Sequence, residues 1–244
     1  MTAAWQDAAI RSALRTYFIM GSNNCRPGVR PEHVLAEALQ GGATLFQYRE
    51  KGTDALRGKE RAELAWRLRL LCREHGVPFV VNDDAELAME VEADGVHVGQ
   101  DDERASSVRR RIGAGRLLGV SAYDAAEAEA AVRAGADYLG VGPIYATSTK
   151  EDAKTASGIR AIEAIRARCI ALPIVAIGGI SAANAAEVIR AGADGVSAIS
   201  AISLAEEPRE AARRLAAAVR SSADGAGSSR DRDAQVKGGA ANGR

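Results

Sequence analysis

Eight short apolar segments alternate with longer alanine-rich, charged segments between about residues 14 and 220. The apolar segments are rich in Val, Ile and Leu and lack regular polar positions, which is typical of parallel strands covered on both faces. The intervening segments, such as 55–75, 124–134 and 182–191, have helical spacing. The predicted strands are TYFIM (16–20), ATLFQYRE (43–50), PFVVND (78–83), GVHVGQ (95–100), LLGVSA (117–122), YLGVGPI (138–144), PIVAIGGI (173–180) and GVSAISAI (195–202).

Eight strand–helix units in about 205 residues fit a closed (β/α)8 barrel, the TIM barrel, better than an open doubly wound sheet. An extra N-terminal helix is predicted before the first strand, at about residues 4–14. We therefore predict a single α/β catalytic domain over residues 1–220. Residues 221–244 contain one sizeable apolar residue, Val236, so this C-terminal tail is predicted to be disordered because it cannot bury enough surface to order itself.

A weak internal repeat marks the points where helices end and strands begin. The sequences GGAT, EADG, AGAD and AGAD stand at the starts of the second, fourth, sixth and eighth strands. Glycine suits the end of a helix because it accepts a left-handed backbone conformation. The repeats are unevenly spaced, which indicates repeated units of a barrel and not a solenoid.

Charge and cysteine content argue against several protein classes. The 32 basic residues balance 32 acidic residues, so net charge gives no general reason to bind nucleic acid or an anionic membrane. Cys25, Cys72 and Cys169 are scattered and are predicted to be free thiols in a reducing compartment.

Residues 1–9 do not resemble a secretory signal, and the uncharged segment 169–186 contains too many helix-breaking residues for a membrane helix. We predict a cytoplasmic protein with small-molecule substrates, and the sequence leaves open whether it is a homo-oligomer.

The second strand ends in two cationic residues and an amide. Catalytic groups of (β/α)8 barrels lie at the C-terminal ends of the strands. A two-residue period places Gln47, Arg49 and Lys51 on one side of the chain, and Tyr48 and Glu50 on the other. Such a group at the mouth of a barrel predicts a site for an anionic substrate. The alternative is a solvated loop of mixed charge.

The third and fourth strands end in paired acids, Asp83-Asp84 and Asp101-Asp102. Magnesium typically takes one or two protein carboxylates and completes its shell with water and substrate phosphate. The alternative is helix N-capping, since Asp84 and either Asp101 or Asp102 precede predicted helices. Capping accounts for one acid of each pair but not for both, so the pairs favour a Mg²⁺ site.

Two polar residues on the fourth and fifth strands give a weaker indication of function. His97, within the fourth strand, is interpreted as a packed, hydrogen-bonded residue and not as a metal ligand. Ser121 ends the fifth strand, but no Ser–His–Asp grouping is apparent in the sequence. We therefore expect Ser121 to contact substrate or to be structural, and not to act as a nucleophile.

The connection after the sixth strand is long and rich in hydroxyl groups. Thr147, Thr149 and Lys150 lie in it, and residues 147–154 are predicted to close as a lid over the substrates. The alternative is a mobile surface loop. The last two strands lead into Gly178-Gly179-Ile180 and Ile199-Ser200, where many barrels bind phosphate through backbone N–H groups.

The order of these motifs resembles the thiamine-phosphate synthase family over about residues 14–220. The motifs that carry the resemblance are QYREK, VNDD, GVHVGQDD, GVSAY, GPIYATSTK, PIVAIGGI and GVSAISAI. The resemblance implies a TIM-barrel transferase that joins hydroxymethylpyrimidine diphosphate to a thiazole phosphate and releases thiamine phosphate and pyrophosphate. It also implies that pyrophosphate leaves first and that the thiazole nitrogen captures the resulting cation.

The resemblance assigns residues by motif. The pyrimidine diphosphate would be contacted by Gln47, Arg49, Lys51, Asn82, Ser121 and Lys150, of which Arg49, Lys51, Ser121 and Lys150 are the predicted catalytic residues. The thiazole phosphate would be contacted by Thr147, Thr149, Gly179, Ile199 and Ser200. Asp83 and Asp102 would hold the Mg²⁺ cofactor.

Two departures from the family pattern leave the charge of the site unchanged. Tyr48 and Tyr123 stand where many relatives have leucine and histidine. Two alternative functions are a thiazole tautomerase-like paralogue and a non-catalytic regulator that binds thiazole phosphate. Asp83 and Asp102 count against the tautomerase, because that family lacks the paired acids. Lys51, Asp83 and Lys150 count against the regulator, because binding of thiazole phosphate alone needs none of them.

Overall fold

The computed structural model describes residues 5–147 and 155–222 and contains a closed barrel of eight parallel strands. Adjacent strands pair in sequence order, and β1 also pairs with β8, so the sheet has no free edge. The predicted fold class is therefore confirmed. The strands are β1 Thr16–Met20, β2 Leu45–Tyr48, β3 Phe79–Asn82, β4 Gly95–Val98, β5 Leu117–Ala122, β6 Tyr138–Val141, β7 Ile174–Ala176 and β8 Gly195–Ala198.

Helices connect successive strands and surround the barrel. The predicted N-terminal helix is present as α1, Asp7–Leu14. The others are α2 Pro31–Gln40, α3 Gly58–Glu74, α4 Ala85–Glu90, α5 Ala105–Ile112, α6 Ala125–Arg133, α7 Arg160–Ala167, α8 Ala185–Arg190 and α9 Ser200–Ser203, with residues 208–222 forming α10.

Several strands end earlier than their apolar sequences predict, most of all the last two. β7 ends at Ala176, and the following Gly178 and Gly179 have positive φ angles that cannot continue a strand. β8 ends at Ala198, and Ser200 begins α9. The extra apolar residues belong to loops that line a cavity at the C-terminal end of the barrel.

Two apolar cores lie on the two sides of the barrel wall. The outer core fills the space between strands and helices and includes Phe18 and Phe46. The inner core fills the barrel and includes Tyr17, Leu45 and Val175. Alternate residues of β1 enter different cores because successive side chains of a strand point to opposite faces. Leu14 and other residues of α1 pack onto the inner core, so this helix closes the N-terminal end of the barrel.

The internal sequence repeat corresponds to a repeated hydrogen bond at the N-terminal end of the barrel. Thr44, Asp94, Asp137 and Asp194 each precede an even-numbered strand, and each side chain accepts an N–H of the preceding odd-numbered strand. The donors are the N–H groups of Thr16, Phe79, Leu118 and Ile174, at 2.7–2.8 Å. The repeat therefore ties β1 to β2, β3 to β4, β5 to β6 and β7 to β8.

The C-terminal part of the fold extends slightly beyond the predicted boundary. Helix α10 continues through residue 222, so the predicted boundary at residue 220 falls inside it. Residues 223–244, for which disorder is predicted, lie outside the described residues. In the parts of the chain that the structure covers, no helix has the length and apolar character needed to cross a membrane.

We predict that Asp194→Asn lowers the free energy of unfolding by about 2–3 kcal/mol, because Asp194 receives hydrogen bonds from Arg11, Arg166 and the Ile174 N–H. Chemical denaturation measures the loss. The control is Asp7→Asn, which removes an exposed partner of the same Arg11 and should cost less than about 1 kcal/mol. Equal losses in the two variants would contradict the role given to Asp194.

Candidate active site

A cavity of about 440 Å³ opens at the C-terminal ends of the strands. This is the end of the barrel that α1 leaves open, and it is where (β/α)8 enzymes carry their active sites. Eight of the residues predicted from the sequence line this one cavity: Gln47, Arg49, Asn82, Ser121, Thr147, Gly179, Ile199 and Ser200. The barrel thus brings together side chains that lie up to about 150 positions apart in the sequence.

The remaining predicted residues fall into two groups. Lys51, Asp83 and Asp102 form a charged cluster beside the cavity. Thr149 and Lys150 lie outside the described residues, as do residues 148–154 of the proposed lid. The lid and the catalytic role of Lys150 therefore stay predictions.

The end of β2 shows the predicted alternation of side chains. Gln47 lies inside the barrel, where its amide donates a hydrogen bond of 2.7 Å to the Tyr17 hydroxyl. Tyr48 lies in the outer core and donates to the Arg61 carbonyl at 3.2 Å. Glu50 accepts from the backbone N–H groups of Ser22 and Leu56. Glu50 therefore holds the loops that follow β1 and β2.

Asp83, Asp102 and Lys51 form one ionic cluster. The Lys51 ammonium forms ion pairs with Asp83 and, at 3.2 Å, with Asp102. Asp83 also accepts a hydrogen bond of 2.6 Å from the Asn82 amide, which connects the cluster to the cavity wall. Asp83 follows β3 with a φ of 61°, a left-handed conformation that aspartate tolerates better than most residues.

The two carboxylates of the cluster differ in proton affinity. Burial and the neighbouring Asp102 raise the pKa of Asp83, and Lys51 only partly opposes them. Burial acts in the same direction on Asp102, but hydrogen bonds from Asp83 and the Gly99 N–H, together with Lys51, lower its pKa overall. The cluster is thus a place where two nearby carboxylates require a compensating positive charge.

Helix capping explains Asp84 but not Asp102. Asp84 accepts a hydrogen bond of 2.8 Å from the Leu87 N–H, which caps α4. Asp102 instead accepts from the Gly99 N–H at 2.8 Å, and α5 begins later, after Arg104. A side chain at position 99 would collide with this carboxylate, because a Cβ there would lie 2.8 Å from Asp102 Oδ2.

The loop after β7 is shaped by glycine and by an asparagine. Gly179 has a φ of 65°, and a Cβ at this position would lie 2.7 Å from the Ala146 carbonyl oxygen. The Asn184 amide donates to the Gly179 carbonyl and accepts from the Ser181 N–H, at 3.0 and 2.9 Å. The loop therefore packs against the connection after β6, and both line the cavity opposite β2 and β3.

A buried series of polar side chains crosses the inner core. It runs from Gln47 through Tyr17, Tyr138 and His97 to Ser121. The interpretation of His97 as a packed, hydrogen-bonded residue is confirmed, and His97 also lines the cavity. Sequence reasoning missed Tyr17 and Tyr138, although their hydroxyl groups at inward positions of apolar strands were a usable signal.

The cavity contains the groups needed to hold phosphorylated small molecules. Arginine and an amide lie on one side, glycine-containing loops lie on the other, and a carboxylate–lysine cluster stands beside them. Among the described residues, no group of three or more His, Cys, Asp or Glu side chains could enclose a metal ion. These features define a (β/α)8 barrel with a candidate site for anionic ligands at the C-terminal ends of its strands.

Comparison with known proteins gives the family. The model of the thiamine monophosphate synthase family matches residues 16–202, and the chain belongs to this family. The family resemblance found in the motifs is therefore confirmed.

Individual relatives match over most of the chain. The chain is 60% identical over 212 residues to the thiamine-phosphate synthase of Geobacillus kaustophilus, which covers 86% of this chain and 94% of the relative. It is 55% identical over 215 residues to the Bacillus mycoides synthase, with coverage of 88% and 97%. The solved structure of thiamine phosphate pyrophosphorylase from Pyrococcus furiosus is similar, with a TM-score of 0.77, 35% identity and coverage of 87% and 98%.

Proposed function

We propose that this chain joins hydroxymethylpyrimidine diphosphate to a thiazole phosphate, forming thiamine phosphate and pyrophosphate. One observation carries the proposal: in a member of this family, eight of the eleven residues that the motifs assign to the two substrates line one cavity, beside a carboxylate–lysine cluster. Two phosphorylated substrates can occupy such a cavity together, which is what a coupling reaction requires.

The two substrates would bind on opposite sides of the cavity. Arg49 and Asn82 face the cavity near Lys51 and would bind the diphosphate, with Gln47 and Ser121 deeper along the pyrimidine. The thiazole phosphate would lie against the opposite loops, which contain Thr147, Gly179, Ile199 and Ser200. Thr149 and Lys150 are assigned by motif alone.

Asp83 and Asp102 fit a hard divalent cation and would hold Mg²⁺. Both carboxylates already pair with the Lys51 ammonium, so the position favours positive charge. With only two carboxylates, the cluster suits Mg²⁺, which keeps water and substrate phosphate among its ligands. When bound, Mg²⁺ would neutralise charge on the diphosphate and assist its departure.

The reaction requires no protein nucleophile. The C–O bond between the pyrimidine methylene carbon and the diphosphate breaks, and its electron pair leaves with pyrophosphate. The thiazole nitrogen then donates its lone pair to the methylene carbon, forming the C–N bond. Arg49 and Lys51 would stabilise the charge that grows on the leaving group, and Lys150 is predicted to do the same.

The two alternative functions do not use the charged cluster. A thiazole tautomerase moves a proton within one substrate, and a regulator only binds the thiazole phosphate. Neither gives a reason for Lys51 to lie between Asp83 and Asp102 beside the cavity. The cluster therefore favours the coupling reaction.

Incubation of the purified protein with both substrates and Mg²⁺ tests the function. We predict thiamine phosphate and pyrophosphate in equal amounts, measured by chromatography and ³¹P NMR. Omission of either substrate should remove both products. Isomerised thiazole phosphate without coupled product would favour the tautomerase, and ligand binding without turnover would favour the regulator.

We predict that Asp102→Asn weakens Mg²⁺ binding by about tenfold or more and lowers the coupling rate by roughly 100-fold, because it removes a charge from the cation site without changing side-chain size. Titration calorimetry measures the affinity for Mg²⁺, and the formation of thiamine phosphate over time measures the coupling rate. The matched control is Asp84→Asn, since Asp84 caps α4 and asparagine caps equally well.

The control should keep Mg²⁺ affinity and rate near those of the unchanged protein. The metal assignment would be wrong if the double variant Asp83→Asn, Asp102→Asn retained full Mg²⁺ affinity and full coupling rate.

A further inference from the structure

Five polar side chains from five strands form a continuous hydrogen-bonded series inside the barrel. The Gln47 amide lies 2.7 Å from the Tyr17 hydroxyl, which lies 2.9 Å from the Tyr138 hydroxyl. The Tyr138 hydroxyl lies 3.1 Å from His97 Nδ1, and His97 Nε2 lies 3.0 Å from Ser121 Oγ. Ser121, at one end of the series, lines the cavity, as do Gln47, Tyr17 and His97.

The barrel wall is shaped to hold the centre of this series. A Cβ at position 119 would lie 2.2 Å from the Tyr138 ring and 2.3 Å from His97 Nδ1. A Cβ at position 140 would lie 2.8 Å from His97 Cε1. Glycine inside a strand weakens the strand. The structure therefore places glycine at the two points where any side chain would break the contact between Tyr138 and His97.

Burial makes each member depend on its neighbours. Tyr17, Tyr138, Gln47 and His97 are each at least 94% buried, so an unmatched donor or acceptor would be costly. Burial also raises the pKa of both tyrosines, so each hydroxyl keeps its proton. Each tyrosine therefore has one proton to donate along the series.

The Gln47 amide sets the direction of these donations. With Gln47 donating to Tyr17, the series has one consistent direction from end to end when the Tyr17 hydroxyl donates to Tyr138. Tyr138 then donates its own proton to His97 Nδ1, which leaves the proton of the neutral imidazole on Nε2. Nε2–H donates to Ser121 Oγ, and the Ser121 hydroxyl proton stays available for an acceptor in the cavity.

We propose that Tyr17, Tyr138 and His97 are positioning residues that hold Ser121 as a hydrogen-bond donor to the pyrimidine diphosphate. The role of Ser121 toward this substrate rests on the proposed function. The orientation of the series does not, because it concerns only contacts within the protein. If the series ran the other way, Ser121 would donate to His97 and could not donate to a ligand.

The tautomer of His97 tests the direction without any substrate. Long-range ¹H–¹⁵N NMR separates Nε2–H from Nδ1–H imidazole, at about pH 8 where an ordinary imidazole is neutral. His33 and His75 give the other ring signals, and loss of a signal in His97→Gln assigns the third. The proposal requires the Nε2–H form in the unchanged protein, and an Nδ1–H form would overturn it.

Tyr138→Phe tests the consequence for catalysis. It removes one hydroxyl and keeps the ring, so we expect His97 to lose its single tautomer. We also expect kcat for coupling to fall about tenfold, with a smaller change in KM for thiazole phosphate. The matched control is Tyr48→Phe, which removes another buried tyrosine hydroxyl, on the outer side of the barrel wall.

Tyr48→Phe should leave the His97 signals and kcat unchanged. A Tyr138→Phe variant with the original tautomer and original kcat would refute the positioning role. If the unchanged protein makes no thiamine phosphate, the proposed function fails, and the NMR result still decides the direction of the series.

Discussion

Closure of the eight-stranded sheet is the constraint on which the rest of this structure depends. β1 pairs with both β2 and β8, so every strand has two neighbours and the backbone groups of the sheet are paired all around the barrel. Closure also creates an interior that must be filled, and α1 covers its N-terminal end with Leu14. The loops at the other end are then the place where a cavity can form.

The same constraint concentrates charge at that open end. Lys51, Asp83 and Asp102 come from the ends of three successive strands and meet because parallel strands end at one edge. Two carboxylates so close together favour a cation, and an arginine and an amide beside them favour an anion. The proposed metal-assisted departure of pyrophosphate would use both preferences in one cavity.

The sequence predicts the fold well because its signals are local. Apolar strand segments, helical spacing and the repeats that end in Thr44 or Asp194 are readable without knowing any long-range contact. The ends of β7 and β8 were predicted too late, because Ile180 and Ile199 are apolar yet lie in cavity loops.

The site is predictable only in part. The charged residues Arg49, Asp83 and Asp102 stand out because charge at the end of a buried strand needs a reason. The inward hydroxyl groups of Tyr17 and Tyr138 indicate that each needs a partner, but the partner cannot be read from the sequence, because the two residues lie 121 positions apart and meet only after the barrel closes.

Positional isotope exchange tests most directly the central claim that the C–O bond to pyrophosphate breaks before the thiazole nitrogen attacks. The pyrimidine diphosphate is labelled with ¹⁸O in the bridge between the methylene carbon and phosphorus, then incubated with enzyme and Mg²⁺, and recovered substrate is examined by ³¹P NMR. The account predicts that label moves into non-bridging positions, because the broken C–O bond can re-form through any of the equivalent oxygens. Full retention of label in the bridge, with thiamine phosphate still formed at the normal rate, would contradict it.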